Sequence, residues 1–354
     1  MPKCVIIAPL LNSRVLLFAK AFQHQGFKVH LLSNNSGPDN DQNDAFSRQL
    51  LINHDFGLEL EPIQTAPVID TDILLLAIGP WLTSRKFDFP QIGRFVSRAD
   101  RTVLVGGFGS RQYLKRCKFD IQLIFRQLDL ILRTHKVIHK DVSPLYSPLS
   151  LFAEQDYIGP GFHQMFFLDP KLKKSIYSES LLSGRRFLYN FVGSKSNGAR
   201  KNLIPEIEHA LKSQGWNLDT HRIKPYQPSA YWWAYERSLE SLSATDYLKL
   251  LDQSYFTLCL PGVAGTTERV CESILRGSVP VLNRSEVPFY RLPLIDKKNS
   301  IFIDKTNDWC AAIQYMESLS SRELHEFTQQ TLLLRRHLDW PILCKNLVAR
   351  LINA

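Results

Sequence analysis

The sequence predicts an α/β protein made of two doubly wound, Rossmann-like domains. Three observations carry this. The chain has 354 residues, enough for two domains that each bury a core. It opens with an apolar run at residues 4–8, an amphipathic segment, Gly26 and a second apolar run at 28–32, the rhythm of a strand–helix–strand unit. The same rhythm returns more sharply across residues 255–282.

Composition narrows the classes. Apolar residues make up 44% and charged residues 22%, ordinary values for a globular protein. The net charge of +9 suits an anionic partner such as nucleotide phosphates, an acidic glycan or a peripheral anionic membrane surface. Nucleic acid is not expected, because the basic residues are scattered in short pairs and no recognition module is visible. Six cysteines show neither a Cys-x-x-Cys pair nor zinc spacing. Cys4, Cys259 and Cys271 fall in apolar segments and read as buried free thiols, which fits a reducing compartment. There is no apolar run of eighteen residues and the N-terminus does not read as a signal peptide, so a cytoplasmic location is expected.

In the first half, residues 4–8 form a buried strand. The following helix turns Val15, Leu16, Phe18, Ala19 and Phe22 inward and stops at Gly26. No Gly-x-Gly-x-x-Gly fingerprint follows the first strand, which argues against a dinucleotide dehydrogenase. Residues 34–43 are polar and turn-rich, hence a loop. Buried strands are expected at 73–78 and 102–105, each followed by glycines where α/β sheets bind ligands. The alternative is a tight turn into a helix. The stretch 144–170 is irregular, proline-punctuated and aromatic, and carries Glu154, Asp156, His163 and Asp169. Residues 171–186 read as a polar helix and linker.

The second half opens with a strand at 187–192, then the small-residue loop Gly193-Ser194-Lys-Ser-Asn-Gly198 and Arg200 at a helix start. The aromatic cluster at 231–235 reads as packing between helix and sheet rather than a stacking platform. A capped helix at 243–251 leads into the strand at 256–260, which Pro261, Gly262 and Gly265 break. Thr266 or Thr267 caps the next helix, Gly277 ends it, and 279–282 is the next buried strand. Arg269 and Glu272 stand three apart on one side of that helix. Free amides, a cation and a carboxylate one turn on suit a nucleotide diphosphate, with Arg269 on phosphate and Glu272 on ribose. An exposed ion pair on a structural βαβ unit explains the same spacing. Residues 283–296 read as a loop, 301–303 as a last strand, and 308–316 and 321–353 as helical with a break at Pro341.

Cys259-Leu-Pro-Gly262, Arg269-x-x-Glu272, Gly277-Ser-Val-Pro-Val281 and Leu292-Pro293 together resemble the C-terminal signature of exostosin-like glycosyltransferases. Residues 188–194 followed by Arg200 are similar to that family's donor-domain opening. The match covers residues 185–295, and variants of the Arg-x-x-Glu helix also occur in fucosyltransferase-like enzymes. The resemblance implies a GT-B fold, with an acceptor-side domain at 1–180, a donor domain at 181–330 and a helix at 331–354 crossing back to the first domain. It also implies transfer of a sugar from a nucleotide-diphosphate donor to a saccharide or glycan hydroxyl, with inversion and in polysaccharide or glycan assembly. The donor would lie on Gly193, Ser194, Arg200, Gly262, Gly265, Thr266, Thr267, Glu268, Arg269 and Glu272. No metal and no cofactor beyond the donor are expected, because the arginines and amides would neutralise the leaving diphosphate. A general base would come from the first domain, and Glu154, Asp156 and His163 are the candidates. The alternatives are a fucosyltransferase-like enzyme using a guanosine diphosphate donor, or a nucleotide-binding module without catalysis.

Overall fold

A computed structural model of the chain describes residues 1–8, 11, 13–33, 57–77, 89–106, 137–141, 170–180, 182, 184–192, 200–213, 234–235, 244–260, 267–304 and 308–352. The chain divides into two compact units, Met1–Gly159 with Trp340–Ala354, and Pro160–Asp339.

The first unit contains β1 (Lys3–Ala8), α1 (Ser13–His24), β2 (Lys28–Ser33), β3 (Leu60–Pro62), β4 (Thr71–Ala77), α2 (Phe89–Val96), β5 (Ala99–Gly106) and β6 (Val137–Asp141). The strands pair in parallel in the order β3-β2-β1-β4-β5-β6. This is the doubly wound order, in which the chain first winds away from β1 on one side and then on the other. A strand covered on both faces needs unbroken apolar sequence, which is why Cys4 to Ala8 are all buried. Val5, Ile7, Leu74 and Leu76 meet Ile92 and Phe95 of α2 in one core. Three elements had no clear sequence signal. β3 is only three residues long, β6 carries His139 and Lys140, and α2 contains Pro90 and Gly93.

The second unit contains α3 (Pro170–Ile176), β7 (Phe187–Val192), α4 (Arg200–Ser213), β8 (Ala234–Tyr235), α5 (Ala244–Gln253), β9 (Ser254–Leu258), α6 (Arg269–Leu275), β10 (Val279–Asn283), α7 (Val287–Tyr290), β11 (Ile301–Ile303), α8 (Trp309–Ser318) and α9 (Ser321–Leu332). Its parallel sheet runs β11-β10-β9-β7-β8. Tyr189, Phe191, Phe256, Leu258, Val279 and Val281 pack with Trp309 and Ile313 of α8. Residues 284–290, expected as loop, instead make one 3₁₀ turn and α7. Pro288 sits in the first turn of α7, where its missing N–H costs nothing.

The last helix, α10 (Trp340–Ile352), belongs to the first unit. Trp340 meets His24 of α1 edge-on at 6.2 Å, and Arg101 of β5 donates to the Ile352 carbonyl at 3.3 Å. Pro341 sits in its first turn.

α3 lies in the second unit, whereas the sequence reading carried the first domain to residue 180. The reason is a buried arginine just past α6. Arg276 is 3% exposed and forms a two-pronged ion pair with Asp252, Nε to Oδ1 at 2.8 Å and Nη2 to Oδ2 at 2.6 Å. Its Nη1 donates to the carbonyls of Ser175, Ile176 and Ser178 at 3.0–3.2 Å, and Nη2 to that of Glu179. Arg335 adds a bond to the Tyr177 carbonyl at 2.7 Å. Arg185 is buried beside them and donates to the carbonyls of Leu251, Ser254 and Arg276. Burial pushes its guanidinium down to about 10, so it stays charged at neutral pH.

Candidate functional site

In an open parallel sheet, ligands bind at the carboxyl edge where the strand order reverses. In the second sheet that point lies between β7 and β9, because β8 flanks β7 on one side and β9, β10 and β11 follow on the other. β7 ends at Val192, immediately before Gly193 and Ser194, and β9 leads through Cys259 and Leu260 toward Gly262, Gly265 and Thr266. Those five residues lie outside the described residues, as do Glu154, Asp156 and His163. Arg200 is the first residue of α4, and its side chain is likewise not described. Thr267, Glu268, Arg269 and Glu272 are described.

Arg269 opens α6. Its Nη1 donates to Thr267 Oγ1 at 3.1 Å, and its guanidinium carbon lies 5.7 Å from the ring centre of Phe191 on β7. This is within reach of a cation–π contact. The arginine thus bridges toward β7 across the reversal point, and its buried Nε has no hydrogen-bond partner among the described residues. The expected threonine cap is altered. Glu268 occupies the cap position with helical backbone angles and no side-chain cap bond, while Thr267 Oγ1 accepts weakly from the Arg269 amide at 3.5 Å.

Glu272 differs from expectation in a second way. It is 3% exposed, not part of an exposed polar face, and its Oε2 accepts from the Tyr247 hydroxyl of α5 at 2.7 Å. Burial, and then the Glu272 charge, push the Tyr247 phenol well up, so it remains a donor. The Thr267 amide is also not free for a ligand. It donates to the Tyr290 hydroxyl at 2.9 Å, and that hydroxyl donates back to the Thr267 carbonyl at 3.1 Å. Tyr247, Tyr290 and Phe191 escaped sequence reasoning because they stand 23 or more residues from their partners, or on another strand.

Cys4, Cys259, Cys271 and Cys344 are buried free thiols, as expected for the first three. Burial pushes Cys259 up to about 12 and Cys4 well above its usual value. These four should resist iodoacetamide at pH 8 in the native protein and react fully in urea. Mass-spectrometric mapping would show it, and rapid native labelling of Cys259 would contradict the packing at the end of β9.

Two Asp-x-Asp triplets occur in the sequence. Asp39-Asn40-Asp41 lies outside the described residues. Asp70-Thr71-Asp72 stands at the start of β4, at the edge opposite the carboxyl ends. There Asp72 accepts from the Lys3 amide at 2.7 Å and Asp70 pairs with Arg98 at 3.2 Å. Among the described residues no group of three or more His, Cys, Asp or Glu could hold a metal ion, and no helix is long and apolar enough to cross a membrane.

No protein-family model matches the chain, and no curated protein matches its sequence. Solved structures do. A glycosyltransferase from Rickettsia africae superposes with a TM-score of 0.54 at 12% identity, covering 100% of this chain and 99% of that one. TarM gives 0.54 at 8% identity, with 100% and 99% covered. HepE of Anabaena, solved with UDP and glucose, gives 0.52 at 10% identity, with 99% and 98% covered. The fold is GT-B. At these identities the GT-B likeness is one of architecture, and the exostosin-like resemblance rests on the motifs alone.

Proposed function

We propose that this GT-B chain is a glycosyltransferase that takes a sugar from a nucleoside-diphosphate donor and moves it to a saccharide hydroxyl. The observation that carries the reading is the meeting of β7 and β9 at the reversal point of the second sheet. Arg269 is held there between Thr267 and Phe191, with its Nε buried and unpartnered among the described residues. A fixed guanidinium at that edge suits a diphosphate. The UDP and glucose in the HepE structure support the same ligand class.

The finer assignment follows the exostosin-like motifs. A base, drawn from Glu154, Asp156 and His163, takes the acceptor hydroxyl proton. The resulting oxygen attacks the anomeric carbon, the bond from that carbon to the diphosphate oxygen breaks, and configuration inverts. The nucleoside diphosphate leaves with its charge on Arg200, Arg269 and amides from Gly193–Ser194 and Gly262–Thr266, without a metal ion. Glu272, whose Oε2 accepts from Tyr247, takes the ribose hydroxyls in this reading.

The test is a thermal-shift panel of UDP, GDP and ADP without metal, on the wild type and on Arg269→Ala. A diphosphate at a hundred times its dissociation constant stabilises by about 2.7 kcal/mol. One diphosphate should raise the wild-type Tm, and the variant should lose the response while remaining folded. A guanosine preference would turn the donor toward the fucosyltransferase-like class. No response from folded wild type to any of the three would sink the proposal.

A further inference from the structure

The Tyr290 hydroxyl is engaged twice with one residue, accepting from the Thr267 amide at 2.9 Å and donating to the Thr267 carbonyl at 3.1 Å. Tyr290 is 4% exposed and sits at the end of α7, on the far side of β10 in sequence. Thr267 is 6% exposed and stands two residues before α6 begins at Arg269. With its backbone held at both polar groups, Thr267 carries its Cβ in one place, and a β-branched side chain then has few rotamers in which to aim Oγ1. That oxygen is what Arg269 Nη1 binds at 3.1 Å. The relay runs from a buried phenol to a backbone, from there to a side-chain oxygen, and finally to a guanidinium.

We infer that Tyr290 is a positioning residue for the donor site, fixing Arg269 through Thr267 so that the guanidinium meets the diphosphate without first being ordered. The inference rests on the proposed function of this site. A preordered cation binds more tightly than one whose rotamers must be frozen on binding. Tyr290 itself touches no ligand in this scheme. A purely structural tyrosine would alter Tm and leave affinity in the folded protein unchanged, whereas a positioning one alters affinity.

A double-mutant cycle separates these roles. Tyr290→Phe removes only the hydroxyl. Thr267→Val keeps the shape of Thr267 and its backbone bonds but removes Oγ1. Dissociation constants for UDP and GDP would be measured by calorimetry at 15 °C on wild type, both single variants and the double variant, each shown folded by circular dichroism. Each single variant should bind the preferred diphosphate roughly tenfold more weakly. The double variant should be no weaker than the weaker single, because both act through one relay. Unchanged affinity in Tyr290→Phe, or losses that simply add, would overturn the role of Tyr290 while leaving the donor site standing. Wild type that binds neither nucleotide would overturn the donor site and the relay together.

Discussion

Arg276→Ala is expected to destabilise the second unit by about 3–5 kcal/mol, the range for removing one partner of a buried ion pair. The size follows from what is left behind. Asp252, 19% exposed, would lose its ion-pair partner, and the carbonyls of Ser175, Ile176, Ser178 and Glu179 would lose their shared donor. A lysine carries the charge but not the planar fork, so Arg276→Lys should recover only part of the loss. Urea unfolding followed by fluorescence would read the change as a shift in midpoint, and the two units need not melt together. A loss below about 0.5 kcal/mol, the scale of an ordinary surface substitution, would show that the Arg276 bonds are not what joins residues 175–179 to α6.

The second large effect belongs to Gly277. Its φ of +66° is in the left-handed region, which costs an L-residue about 1–2 kcal/mol. An added Cβ would also stand 2.9 Å from Leu332 Cγ and 3.0 Å from Arg185 Nη2, inside ordinary contact distance. Overpacking of this kind costs about 1–3 kcal/mol, so Gly277→Ala should lose roughly 2–5 kcal/mol in all. Gly26→Ala is the internal control. Gly26 has φ +83° but nothing within 4 Å of its added Cβ, so only the backbone cost applies. If the two alanine variants lose equal stability in the same urea titration, the packing of Leu332 and Arg185 on Gly277 contributes nothing.

The alternating plan of strands and helices was legible because the long strands carry buried runs that are mostly apolar. The segments 4–8, 187–192 and 279–282 could be read directly for this reason. The glycine stops at Gly26 and Gly277 were legible for a related reason, since only glycine takes positive φ cheaply. Pairing order was not legible, because it depends on which buried strand meets which, and all of them are apolar. The site divides the same way. Arg269 and Glu272 announced themselves by spacing within one helix. Their settings did not, because Phe191, Tyr247 and Tyr290 reach them through tertiary contacts that leave no local pattern. Glu272 is the instructive residue: spacing made it polar and outward, whereas it is buried and accepts from a tyrosine on α5. Arg276 was read as nothing at all, since an arginine after a short helix is ordinary until its partners are known.

The return of α10 to the first unit bears on the order in which the molecule can be made. α1 packs against a helix that begins at Trp340, so its partner is made only after the whole second unit has been synthesised. At roughly 5–20 residues per second, the apolar flank of α1 stays uncovered for at least about fifteen seconds while the residues between the two helices are made. The first unit can collapse early but cannot finish early. A nascent chain of this protein would therefore be most exposed to chaperones and to mispairing at α1.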